Sequence, residues 1–497
     1  MKKKLLILLC ACMALSGCSD VGTGNPQGSS GQEISGSEQE DPSGQSQENG
    51  NQGSSKQGNG NQGSSEQGNG NQGSSEQGNG NQGSSEQGEN GQGNSGQSQG
   101  SNEQGGSGEV RKLGANGDHE ITPVELENAY QKAAYFADQV YQEKGGNVLV
   151  SPLSLNVALG MVAEGTTGET AQELYRYLGG ETYADWVDQY LAFAEGLEAH
   201  EDHEYSKYSF SYKLANSIWV RKGDDLSEKY RKLVQKKFRA EAENVDFVNE
   251  AQATADKINA WCDEHTEGMI KEVVKPNMFS PSLAAVLVNS LYFESPWVKQ
   301  WIVNQREFTN LAGKKTTQDM LVDYSLSKYF ENEHCTAFAK NYYNGFEFIG
   351  ILPKEEGDFS LSDLDLQSLM ESRTQEYDVR AIMPKLEFET MAENVVDILM
   401  AEGVLKIFDP ACEEFDKMVE GRSLFVSDIL QKCKIELDEE GTRAAAVTVI
   451  LAKDTAAFIE PVQREIKEVF LDRPFAFLIY DSNNDQVLFA GKVTDIQ

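Results

Sequence analysis

Residues able to do chemistry are few and scattered. The 497-residue chain has five histidines, and two of them fall in His200-Glu201-Asp202-His203, where imidazoles and carboxylates could approach a metal ion. That quartet sits in a strongly polar stretch with no third ligand close by, so a solvated acidic turn is expected and no metal is assigned. There is no Gly-x-Ser-x-Gly elbow and no His-Glu-x-x-His helix. The early glycines follow no strand and precede no Gly-Lys-Ser/Thr, which excludes a phosphate-binding loop. Catalytic residues, metal and cofactor are all read as none.

One thiol has a clear context. Lys2, Lys3 and Lys4 precede an apolar run from Leu5 to Leu15, followed by Ser16, Gly17 and Cys18. This is the layout of a secretory signal, and the run is too short to span a bilayer. Leu15-Ser16-Gly17-Cys18 resembles the bacterial lipobox, which implies a lipid-modified Cys18 as the new N-terminus and an anchor in a membrane. The alternative is an ordinary signal that happens to contain a cysteine. Cys262, Cys335, Cys412 and Cys433 are widely spaced and fit small buried apolar positions rather than a disulfide framework.

Three domains follow from composition: a signal at residues 1–18, a linker at 19–120 and a globular domain at 121–497. The linker is Gly, Ser, Gln, Asn and Glu, and four ten-residue copies occupy residues 51–90. Those copies hold no apolar residue that stacking could bury, so a disordered tether is expected rather than a solenoid. About 90 Gly-rich residues span roughly 50 Å on average, and about 300 Å when stretched. The formal charge of −36 is unfavourable for nucleic acid and anionic glycans.

In the globular part, Thr122-Pro123 followed by Glu125 and Glu127 predicts a helix running to about Glu143 and ending at Gly145-Gly146. A short strand at Asn147–Pro152 and a helix starting at Ser151 or Ser154 come next. Strands are predicted at Lys213–Arg221, Ala284–Phe293, Val379–Glu389 and Phe475–Tyr480. Long helices and clustered strands with little strict alternation favour an α+β fold.

Five segments then become recognisable: Asn147–Leu178, Val286–Trp297, Met383–Phe388, Glu436–Ala446 and Asp472–Val493. In order and spacing they resemble the serpin family. The resemblance implies three β-sheets, about nine helices and an exposed reactive-centre loop, with the protein a consumable substrate and not an enzyme. A serine-type protease cleaves the loop as far as the acyl-enzyme, and the freed segment inserts into the central sheet. The partner is therefore the target protease, held covalently, and a monomer is expected, placed at the cell surface by its lipid. Alternatives are a non-inhibitory serpin serving as a surface binding module, an inhibitor of cysteine proteases, and an enzyme at the histidine cluster.

By the same resemblance Glu439, Glu440, Gly441, Thr442, Ala444, Ala445 and Ala446 form the hinge. Gly441 suits a chain that must swing. Thr442, Ala444, Ala446, Thr448, Ile450 and Ala452 would share one strand face, small or apolar, able to pass from water into a core without stranding a charge. Arg443 departs from the family's more common glutamate, and Val447 is bulkier than usual. Counting forward from Gly441 puts the reactive bond at Thr455-Ala456, whereas counting back from Pro474 points towards Gln463, leaving Lys453 to Gln463 open. Small residues at Thr455 and Ala456 suit an elastase-like or subtilisin-like pocket. Ser151, Ser154, Asn289 and Gln431 match the shutter, where the family often has histidine at Gln431. Trp297, Lys385 and Glu439 match the breach.

Overall fold

Asn128, not Thr122-Pro123, starts the first helix, because its side chain accepts from Gln131 N at 2.9 Å. Residues 122–127 instead cross the end of another helix, where Val124 N donates to Ala401 O at 3.0 Å. The computed structural model describes residues 122–179, 184, 186–192, 211–343, 345–419, 421, 424–442 and 464–496. The signal, the linker, His200–His203 and residues 443–463 lie outside them.

The helices are α1 (Ala129–Lys144), α2 (Pro152–Gly165), α3 (Gly168–Tyr177), α4 (helical at 186–192), α5 (Glu228–Phe238), α6 (Ala251–His265), α7 (Leu366–Glu371) and α8 (Val395–Ala401). The first strands are β1 (Val148–Val150), β2 (Ser211–Arg221), β3 (Glu241–Val245), β4 (Ala285–Pro296), β5 (Ile302–Thr309), β6 (Lys315–Leu326), β7 (Lys328–Glu331) and β8 (Cys335–Asn341). The remainder are β9 (Phe346–Pro353), β10 (Asp378–Pro384), β11 (Leu386–Ala392), β12 (Asp428–Leu437), β13 (Gly441–Thr442), β14 (Ile466–Phe470), β15 (Phe475–Asp481) and β16 (Gln486–Val493).

They form three sheets: sheet A in the order β11-β12-β13-β4-β2-β3, sheet B in the order β1-β16-β15-β9-β8-β7, and sheet C in the order β14-β10-β6-β5. The stretch Val379–Glu389, expected as one strand, is two. The chain leaves sheet C at Pro384, which lacks the N–H a ladder would use, and joins sheet A at Leu386.

The first nine residues of β4 are buried on both faces of sheet A, so the strand carries an almost unbroken apolar run instead of a strict alternation. Leu287, Leu291 and Phe293 join the main core with α2 and sheet B. Val286, Val288 and Trp219 join a second cluster on the opposite face, with Ile258 and Trp261 of α6. Cys262, Cys335, Cys412 and Cys433 are buried free thiols, and burial pushes Cys262 and Cys335 up to about 12.

Candidate functional site

The site is a seam in sheet A between β4 and β12. At its lower end the two strands pair directly and in parallel, Asp428–Gln431 against Val286–Asn289. At its upper end they are held apart by β13, with Gly441 opposite Pro296, and Thr442 opposite Ser295 on one side and Leu437 on the other. Among the described residues no strand occupies the seam between these two ends. A small cavity just below Thr442 is lined by Phe293, Ile435, Leu149, Ile479 and Phe489, with Lys434 at its edge.

The upper end is built by a tight turn. Asp438 N donates to Gly441 O at 2.9 Å, and Asp438 Oδ1 accepts from Glu440 N at 2.8 Å and Gly441 N at 3.2 Å. Trp297 grips this turn from the β4 side: its N donates to Glu440 O at 2.9 Å and its indole Nε1 to Asp438 O at 2.9 Å. Trp301 N reaches Glu439 O at 3.1 Å. Across the turn Lys385 Nζ pairs with the Glu439 carboxylate, and that hydrogen bond holds the acid below its ordinary range. Both side chains remain more than a third exposed, so the pair contributes modestly.

Two expectations need correction here. Thr442 is not a solvated residue waiting to leave water, since it is 3 % exposed and its Oγ1 lies 2.6 Å from the Tyr342 hydroxyl. Nor does Gly441 serve through unusual backbone angles, being absent from the positive-φ glycines. A Cβ there would lie 2.4 Å from Ser295 O and 2.8 Å from Pro296 Cα, so close backbone approach requires glycine. The remaining hinge residues Ala444, Ala445 and Ala446, and Thr455-Ala456, lie outside the described residues.

The lower end is closed by a buried polar knot. Gln431 Oε1 accepts from Ser151 N at 2.8 Å, while its Nε2 donates to Ser151 O and to Asn289 Oδ1, both at 2.9 Å. Ser154 Oγ donates to the same Asn289 oxygen at 3.3 Å. Ser151 also caps α2, accepting from Ser154 N at 3.2 Å, and donates its hydroxyl to Leu488 O at 2.8 Å. All four side chains are buried. The amide therefore ties α2 to both strands of the seam.

Tyr342, Trp301 and Asp438 had no place in the sequence reading. The Asp-x-x-Gly spacing of Asp438 and Gly441 is the one signal that could have marked the turn. Tyr342 carries none, because it comes from sheet B's far side of the chain.

A model of the serpin (serine protease inhibitor) family matches residues 129–496. The chain belongs to the serpin family. An uncharacterized serpin-like protein of Thermococcus kodakarensis is 30 % identical over 378 residues, covering 72 % of this chain and 83 % of that protein. Neuroserpin of Gallus gallus is 28 % identical, covering 70 % and 85 %. Among solved structures, Serpin48 of the insect Tenebrio molitor has a TM-score of 0.63 at 25 % identity, covering 74 % of this chain and 98 % of its own. The thermophilic serpin Tengpin in its native state has 0.61 at 27 %, covering 76 % and 98 %. The three sheets and the helices are those of the serpin α+β fold, and protease inhibition is the general class of function that membership brings.

Proposed function

We propose that this serpin inhibits serine-type endopeptidases, elastase-like or subtilisin-like, by trapping them as acyl-enzymes while its reactive loop inserts between β4 and β12. The observation that carries this reading is the two-residue strand already paired at the head of a seam that no other strand occupies among the described residues. Extending both registers downward would place Ala444 opposite Phe293 and Ile435, at the small cavity, where a methyl group would meet apolar side chains. Ala446 would fall opposite Leu291 and Cys433. Thr448 would come between Asn289 and Gln431, offering its hydroxyl to the two amides that now bond each other. On the outer face Arg443 would fall opposite Glu294 and Glu436, which suits an arginine where relatives more often have glutamate.

In the chemical step the protease serine Oγ attacks the Thr455 carbonyl carbon, and the Thr455–Ala456 peptide bond breaks. The proton passes to the departing Ala456 nitrogen. The acyl ester then waits on a water while the freed strand inserts. Apart from the scissile peptide itself, no group of the serpin is given a part in making or breaking bonds, so its contribution is the speed of insertion against deacylation. Mixing with a panel of elastase-like, subtilisin-like, trypsin-like and cysteine proteases should give a covalent complex on a denaturing gel, and mass spectrometry should place the cut. Cleavage with no complex for any protease would favour a non-inhibitory binding module.

The Leu15-Ser16-Gly17-Cys18 motif and the linker behind it support an extracytoplasmic serpin anchored to the cell surface through lipid on Cys18. Cys18→Ser should release it from the membrane fraction. Undiminished membrane association would contradict the anchor.

A further inference from the structure

Tyr342 follows β8 and is 1 % exposed. Its ring stacks on Trp297, with centroids 4.1 Å apart and planes 14° from parallel, and meets Phe293 edge-on at 5.2 Å. Its backbone N donates to Phe346 O at 2.9 Å, so the ring belongs to a rigid wall behind the seam. Burial keeps the phenol protonated, well above its ordinary range. Facing it, Thr442 lies in the two-residue strand β13, anchored by two residue pairs to β4 and one to β12. A rigid hydroxyl therefore meets a hydroxyl on a segment that has two available places, the seam or solvent.

We propose that Tyr342 is a positioning residue that latches the resting loop: its hydroxyl, hydrogen-bonded to Thr442 Oγ1, holds Thr442 between β4 and β12 before any protease arrives. This rests on the insertion reading above for its consequence, though not for its geometry. With Thr442 already seated, insertion after cleavage begins at Ala444. Without the partner hydroxyl, a seated Thr442 would carry an unsatisfied buried group, and the segment would favour water. Insertion would then have to repeat its first step while deacylation proceeds.

The test is hydrogen exchange of the uncleaved protein, read over Asp438–Thr442 and over β15 as a reference. Tyr342→Phe keeps the ring and removes the hydroxyl, and exchange at Asp438–Thr442 should rise by about tenfold with β15 unchanged. Thr442→Val should do the same and Thr442→Ser should not. The double variant Tyr342→Phe/Thr442→Val leaves neither hydroxyl unpaired and should return towards wild type. With an inhibited protease, Tyr342→Phe should raise the fraction of cleaved over trapped serpin several-fold. Exchange that stays at the wild-type level, or rises equally in β15, overturns the latch. If exchange behaves as stated but wild type traps no protease, the latch stands and the inhibitory reading fails.

Discussion

The two ends of the seam solve opposite problems with different chemistry. At the top, β4 and β12 are parted by Gly441-Thr442; the backbone N–H groups of Trp297 and Trp301 hold the preceding Glu439-Glu440 turn, and one hydroxyl pair holds Thr442. At the bottom they touch, and the contact is locked by the Gln431 amide reaching Ser151 and Asn289. The upper end depends on close backbone approach, so it is sensitive to size and charge. The lower end depends on buried polar groups that bond one another, so it is sensitive to the loss of one partner. On the proposed insertion reading, a segment entering from above would unlock the bottom last, with the turn as its starting point and the knot as its barrier.

The largest effect should come from Thr442→Arg. The charge would enter a buried site walled by Tyr342, Phe293 and Ile435, at a cost of several kcal/mol after relaxation. Each ~1.4 kcal/mol is a factor of ten in rate, so trapping should fall by about 100-fold or more, with cleaved serpin as the main product on a denaturing gel. Because Thr442 is already seated, this variant should also open the turn in the uncleaved protein. Ala445→Arg, on the opposite strand face by alternation, should be far milder. An undiminished covalent complex with Thr442→Arg would remove the upper end from the mechanism.

Next, Gln431→Ala would leave the buried Ser151 N–H and Asn289 Oδ1 without the amide that bonds them, although Ser151 O keeps Leu155 N, and should lower stability by about 2–3 kcal/mol. Thermal melts, and native gels after mild heating, should show earlier unfolding and more spontaneous insertion or polymer. Unchanged melting would mean the knot is not the lock.

The polar knot itself should not respond to pH, since none of Gln431, Asn289, Ser151 and Ser154 titrates in the ordinary range. A pH response is expected from elsewhere. Burial pushes Glu402 up to about 7, beside Lys132 of α1 and Tyr177 of α3. Its folded-state pKa exceeds the unfolded value of about 4.3, so the folded protein holds a proton the unfolded chain releases. Its contribution is therefore greatest below about pH 4.3 and declines as pH rises to about 7. Glu402→Gln should flatten that slope, by about 1–2 kcal/mol across the range, while leaving the trapping rate unchanged. A slope that survives in Glu402→Gln would reject this assignment.

The smallest effect belongs to Lys385 and Glu439. A double-mutant cycle should give a coupling of about 0.5–1 kcal/mol in thermal stability, falling with added salt. Strict additivity would refute the pairing.

Much of this was legible in the sequence, for identifiable reasons. Ser151 declares itself as a cap through Pro152 behind it, and Gly145-Gly146 stops α1 with φ of 66° and 69°. Glu439-Glu440-Gly441-Thr442 could be found because its residue types follow one another in the chain. What stayed hidden depends on distance. Tyr342 meets Thr442 across a hundred residues, and nothing local in either tells of the other. The state of Thr442 was also hidden, because the same small residue suits a solvated loop and a filled seam. The break at Lys385 escaped because an alternating run reads alike in one sheet or two.

The central claim is that the cut loop fills the seam between β4 and β12, and the most direct measurement is the melting of the purified domain before and after a protease nicks its reactive loop. The account predicts that the nicked protein melts well above the intact one, with Thr442→Arg gaining much less. A nicked protein that melts at or below the temperature of the intact one would contradict it.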